Sequence, residues 1–211
     1  MNKQIEIIAS FDDGREEDLK LARLLKKYNM PATFYIPSNC ELYEWDIQDI
    51  ARDFEIGGHS VSHIQDMKLI TDDKELYSEI YDNKEWLEDI IKKPITKFCY
   101  PRGRFDERVK NMVKKAGFKS ARTTRICNLK FPKDPFETDT AIHCSYPRKE
   151  YKGFPWLMVA KKALDKVLKE GGRFELWGHS AELSKFSFWG DLEKFLQYYK
   201  MKGKNEKAKN N

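Results

Sequence analysis

Strand-like and helix-like segments alternate along the whole chain, and that alternation constrains the fold more than any other feature. It asks for a parallel sheet whose strands are joined through helices. The run Ile5-Glu6-Ile7-Ile8-Ala9 reads as a first strand. Residues 16–28 carry apolar positions at Leu19, Ala22, Leu24 and Leu25, and Asn29-Met30-Pro31 breaks that helix before the strand 32–36. A short helix is expected over 46–52. Thr71 is expected to cap a longer one, with Asp72 and Asp73 in its first turn, a stripe at Leu76, Ile80, Leu87 and Ile91, and Pro94 as its stop. Further helices are expected over 106–116, along the face Leu157, Ala160, Leu164, Val167 and Leu168, and from 190 or 191 to Tyr199. A strand is expected at 119–123. At 211 residues the chain can bury one large core without splitting. By itself the alternation only weakly favours a barrel over a doubly wound sheet.

What stands at the strand ends is more specific. Ser10-Phe11-Asp12-Asp13-Gly14 places two adjacent carboxylates at the end of the first strand. Neighbouring side chains on a strand point to opposite sides, so the two cannot duplicate each other. One could bind a cation while the other handles a proton. Taken alone, the stretch serves equally well as a polar turn. Gly57-Gly58-His59-Ser60-Val61-Ser62-His63 follows the strand-like Phe54-Glu55-Ile56 and carries two of the four histidines. On a helical turn this spacing would put both rings on one face. Asp13, His59 and His63 would then make an open three-ligand metal site, although two histidines alone are more often structural or surface residues than ligands. A third strand-like segment, Phe174-Glu175-Leu176-Trp177-Gly178, ends in His179, with Glu182 three residues on.

In this order, from Ile5 to Glu182, the three elements resemble the polysaccharide deacetylases of carbohydrate esterase family 4. The resemblance implies a single-domain, irregular (β/α) barrel of about seven strands, with the site at the C-terminal strand ends. Asp12 is then the general base, Asp13, His59 and His63 hold one divalent metal, and His179 is the general acid. Zinc suits this donor set best, while cobalt, nickel and iron accept it too. A further motif of the family, which carries an arginine that holds the base, is similar to Phe98-Cys99-Tyr100-Pro101-Arg102-Gly103, where Cys99 takes the arginine position. Arg102 could replace that charge, and the backbone N–H of Tyr100 is the implied oxyanion donor. Trp177 and Glu182 are further candidates for contact with substrate. The acidic residue that tunes His179 in the family has no clean match. Asp139 and Glu182 are the candidates, and His143 reads as a packed core histidine.

The implied reaction is metal-dependent hydrolysis of an N-acetyl, less readily an O-acetyl, group on an amino sugar or glycan. Two other readings stay open. Linear or cyclic non-sugar amides could be opened on the same metal site, or the barrel could bind carbohydrate without turnover.

Composition narrows the partners. Of the net charge of +5, the segment Lys200 to Asn211 accounts for most, with five lysines against one glutamate. The body is nearly neutral, so no nucleic-acid footprint is expected. Residues 1–200 are expected to form the catalytic domain and 201–211 a lysine-rich flexible tail, which would permit peripheral contact with anionic lipid. Cys40, Cys99, Cys127 and Cys144 lack any C-x-x-C spacing. No run reaches membrane-spanning length, and Met1-Asn2-Lys3-Gln4 leads directly into the first strand, so a cytoplasmic location is expected. Nothing in the sequence fixes an oligomeric state.

Overall fold

The computed structural model describes residues 3–145 and 147–209, with side chains described as far as Gly203. Among these residues, seven strands form one parallel sheet: β1 (Ile5–Asp12), β2 (Ala32–Ile36), β3 (Glu55–Gly58), β4 (Lys97–Cys99), β5 (Ser120–Arg122), β6 (Ile142–His143) and β7 (Gly172–Gly178). Their order is β5-β4-β3-β2-β1-β7-β6, and the sheet curls into a half-barrel. The segment between β5 and β6 spans the two edges. Thr138 accepts from the Thr123 N–H at 2.8 Å, and Ala141 donates to the Glu175 carbonyl at 3.0 Å. The expected barrel of about seven strands is therefore the fold found.

Among the described residues, seven α-helices connect and cover the strands: α1 (Asp18–Tyr28), α2 (Glu44–Ala51), α3 (Asp73–Ile91), α4 (Glu107–Lys115), α5 (Trp156–Glu170), α6 (Ser180–Lys185) and α7 (Trp189–Lys209). Asn29, at φ 55°, closes α1 in the left-handed conformation that asparagine tolerates. The cap of α3 is Asp72 and not Thr71. Its carboxylate accepts from the N–H groups of Lys74 at 2.6 Å and Glu75 at 3.1 Å, satisfying donors that would otherwise be left over in the first turn. The last helix runs ten residues past the expected stop at Tyr199, reaching Lys209, and Lys202 pairs with Asp165 of α5 at 2.6 Å. Side chains from 204 on, most of the expected lysine-rich tail, lie outside the described residues.

The two faces of the sheet differ in character. Phe11, Phe34, Phe174 and Leu176 are fully buried in the apolar core that the helices cover, with Phe174 stacked on Phe195 of α7. The alternate positions point into the barrel and are polar: Ser10 and Asp12 of β1, Thr33 of β2, Arg122 of β5 and Glu175 of β7, none more than 2% exposed. The barrel interior thus holds buried charges, and each of them needs a partner.

Candidate functional site

All the strands run the same way, so their C-terminal ends share one face, and a cleft of about 460 Å³ opens there. It is lined by Asp12, Asp13, His59, His63, Arg102, Trp177, His179 and Glu182 among others, and its size falls within the ordinary range for small-ligand sites.

Asp13 follows β1 with a positive φ of 85°, and its N–H is tied to the Tyr35 carbonyl at 3.1 Å. Its Oδ1 lies 3.3 Å from His63 Nε2 and 3.7 Å from His59 Nε2. That oxygen is buried and lacks a hydrogen-bond partner of good geometry. Burial would raise the Asp13 pKa, but the neighbouring His59, His179 and His63 hold it well below the usual carboxylate range. Burial would likewise lower His59, yet the negative groups around it, Asp13 among them, push its pKa well up. The cluster therefore calls for positive charge. Two imidazole nitrogens and a carboxylate oxygen converging within 4.8 Å of one another fit a divalent cation by number and by donor type.

The loop that brings the histidines together is not the helical turn their spacing suggested. Ser60 and His63 both take left-handed backbone angles, φ 67° and 51°. The loop is held from outside: Ser60 Oγ accepts from His63 N–H, Glu79 of α3 accepts from the N–H groups of Val61 and Ser62, and Asn39 donates to the Ser62 carbonyl. Gly58 explains the glycine before His59. A Cβ there would sit 2.9 Å from the Phe118 ring and 3.0 Å from Asn83 Oδ1, the atom that accepts the His59 N–H at 2.8 Å. His59 Nδ1 lies 2.7 Å from the Cys99 carbonyl. Only a protonated Nδ1 can make that bond, so in the neutral ring it is Nε2 that carries the lone pair, facing the cleft.

Asp12 is 2% exposed and is held by a residue the sequence reading passed over. Arg122 Nη2 donates to Asp12 Oδ1 at 2.5 Å and also to Oδ2. Arg102, the expected substitute, is exposed at the cleft rim, at φ 54°, and does not reach Asp12. Tyr100 is corrected as well. Its N–H goes to the Arg122 carbonyl at 3.2 Å, extending the β4–β5 ladder by one residue, and its buried ring stacks on Phe105 away from the cleft. Arg102, two residues later, lines the cleft. Trp177, 3% exposed, forms wall and not platform, with its ring stacked on His143 at 4.1 Å and beneath Arg122.

His179 directly follows β7. Its Nε2 lies 4.0 Å from Asp12 Oδ2 and from Asp13 Oδ2, and its Nδ1 lies 3.3 Å from Glu182 Oε2. Glu182 is thus the acidic partner of His179. Asp139 is engaged elsewhere, with Thr123, Arg125 and Asn128. Glu182 Oε2 is also 3.0 Å from His143 Nε2, while Arg148 directs Nε and Nη2 at His143 Nδ1, at 3.0 and 2.6 Å. Burial lowers the His143 pKa to about 4, so this ring is neutral. Burial would raise Glu182, but the two histidines keep it far below its ordinary value and hence ionised.

The sequence profile of the polysaccharide deacetylase family matches residues 2–121, more than half the chain. A peptidoglycan-N-acetylglucosamine deacetylase of Bacillus cereus is 27% identical over 123 residues, covering 56% of this chain and 56% of that protein. The chain spans about half the length of the curated relatives it matches, 44% and 56%. Among solved structures, one from Mycobacterium smegmatis, named for the same family, superposes with a TM-score of 0.71 at 16% identity, over 95% of this chain and 85% of that one. A pseudoenzyme of carbohydrate esterase family 4 from Bacillus anthracis reaches 0.63 at 14% identity, over 95% and 62%. At these identities the structural likenesses show the fold.

Proposed function

This chain belongs to the polysaccharide deacetylase family, and from that premise we propose that it is a metal-dependent hydrolase that removes N-acetyl groups from an amino sugar or glycan. The observation that carries the reading is the convergence, in one cleft, of the Asp13, His59 and His63 donor set with a buried carboxylate and a carboxylate-backed histidine beside it.

Asp13, His59 and His63 would hold the cation, which when bound polarises an amide carbonyl and acidifies water. Asp12 accepts the proton of the attacking water. The Arg102 N–H is placed to donate to the developing oxyanion, the role the sequence had suggested for Tyr100. His179 gives the proton on Nε2 to the leaving amine, while Nδ1–H is oriented by ionised Glu182. Acid and base lie 4.0 Å apart, so the proton taken and the proton given are handled within one short span. Acid and base together predict a bell-shaped rate against pH.

The test is acetate release from penta-N-acetylchitopentaose and from N-acetylated peptidoglycan fragments by zinc-repleted protein, with metal content measured on the same sample. Turnover with one metal per chain supports the reading. Metal bound without acetate release, alongside opening of a cyclic amide, would move the reaction to the other amide class. Glycan binding without turnover would make the barrel a binding module.

A further inference from the structure

Asp12 ends β1 inside the barrel, where a carboxylate without a partner is costly. The position at the end of β4 at which the family resemblance places an arginine holds Cys99. In the parallel β4–β5 pairing, however, Cys99 stands directly opposite Arg122. Partners in register point to the same face, so position 122 faces the interior at the same level, one strand further from Asp12. The long side chain of Arg122 closes that distance.

The guanidinium has little freedom. It is 1% exposed, its centre lies 5.1 Å over the Tyr35 ring and 4.8 Å over the Trp177 ring, and Nη2 passes 2.9 Å from Cys99 Sγ. Behind it, Nε lies 3.8 Å from Glu175 Oε1. Glu175 accepts from Ser10 Oγ at 2.5 Å and pairs with Arg173 at 2.6 Å, and Arg173 reaches Glu6 at 3.0 Å. Charges of alternating sign thus run along the barrel from Asp12 to its opposite mouth.

We infer that Arg122 is the positioning residue for the base, delivered from β5 in place of the residue that ends β4, and that Cys99 is the small side chain that leaves it room. The inference rests on Asp12 acting as base. It makes positions 99 and 122 exchangeable only as a pair. An arginine at 99 would take the volume that the Arg122 guanidinium now fills, while an alanine at 122 would leave Asp12 buried and unpaired.

The test compares the parent with Arg122→Ala, Arg122→Lys, Cys99→Arg and the double variant Cys99→Arg/Arg122→Ala. All are zinc-repleted, and all are assayed for acetate release from penta-N-acetylchitopentaose. Arg122→Ala is expected to lose about a hundredfold or more in kcat with KM little changed and one metal per chain retained, the cost of a misplaced reacting group. Added guanidinium ion should restore part of that kcat, and the double variant should exceed Arg122→Ala about tenfold or more. Arg122→Lys should fall between, since an ammonium cannot reproduce the planar fork. Activity of Arg122→Ala close to the parent overturns the inference. So does a folded, metal-loaded Arg122→Ala that neither guanidinium nor the relocated arginine rescues. Thermal unfolding of Asp12→Asn, Arg122→Met and their double variant gives a readout independent of turnover and of the alanine variant's folding. The combined loss is expected to be clearly smaller than the sum of the single losses, and additivity would overturn the pairing. A parent inactive on every glycan while the cycle still couples would defeat the deacetylase reading and leave the Asp12–Arg122 pair standing.

Discussion

Two clusters of the same composition, each two histidines and one carboxylate, lie side by side in the cleft, with His179 Nε2 4.0 Å from Asp13 Oδ2. Their backing differs. In the first, a carbonyl fixes a proton of His59 on Nδ1, so in the neutral ring Nε2 offers a lone pair. In the second, Arg148 can only donate, so His143 Nδ1 carries the lone pair and its Nε2–H points to Glu182. The first cluster presents lone pairs to a cation, and the second has its positions taken up by protons. Donor type and number do not separate the two. The groups behind the rings do.

Removing a ligand is the strongest way to break this contrast. His59→Ala should lose the metal and essentially all turnover, and His63→Ala should weaken the metal markedly. His143→Ala should keep one metal per chain and lose only part of its rate. Metal analysis after exchange into chelator-free buffer checks this, and loss of metal from His143→Ala would put both clusters in the same role. Asp12→Asn comes next. It should cost on the order of 10³-fold in kcat, the usual scale of a general base, with metal content unchanged. Activity equal to the parent would remove Asp12 from the reaction.

A smaller effect probes the proton-holding cluster. Burial would lower the His179 pKa, but Glu182, Asp12 and Asp13 raise it above the ordinary histidine value. An acid must be protonated to act, so the rate should fall as pH rises through that raised value. Glu182→Gln removes one of the negative charges. The alkaline limb of kcat/KM should therefore move to lower pH, with about a tenfold loss at neutral pH, part of what a general acid contributes. Glu182 is itself ionised throughout, so the acidic limb should stay in place. An alkaline limb that does not move would show that Glu182 does not tune His179.

Much of this site was legible because a parallel barrel gathers its strand ends on one face. Asp12, Asp13, His59, His63 and His179 each end or follow an apolar run, and the family resemblance supplied the barrel that gathers those run ends into one site. Contacts made across the sheet were not legible. Arg122 sits in an ordinary strand between Ala121 and Thr123, and its role shows only once Cys99 is known to lie opposite it. The oxyanion assignment moved from Tyr100 to Arg102 because the β4–β5 ladder extends one residue beyond the strand and takes the Tyr100 N–H. The loop form of 59–63 was not legible because Glu79 and Asn39, which bind its backbone, are distant in sequence. Glu182 was a named candidate for partner of His179, since i and i+3 meet on a helical turn, whereas its second bond to His143 required β6 to pair with β7.

The finest distinction between the clusters concerns their scaffolds, and Asn83 tests it. This residue of α3 is fully buried, accepts the His59 N–H, and donates to the Ile36 carbonyl at 3.1 Å and to Ser38 Oγ at 3.0 Å. It therefore clamps the end of β3 to the end of β2, behind His59 and away from His179. Asn83→Ala leaves these buried partners unsatisfied, at a cost of about 1–3 kcal/mol. For a chain of this length each kcal/mol corresponds to a Tm decrease of about 2–4 °C. Measured in chelator, the decrease reports the scaffold alone. At limiting zinc the gap to the parent should widen, because a cation that binds the displaced loop less tightly returns less stability to the native state. Glu182→Gln, which touches only the proton-holding cluster, should show no such widening. A Tm for Asn83→Ala equal to the parent in chelator would mean that the His59 loop is held by Glu79 and Asn39 alone, and the preorganisation of the metal cluster would then rest on that loop and not on α3.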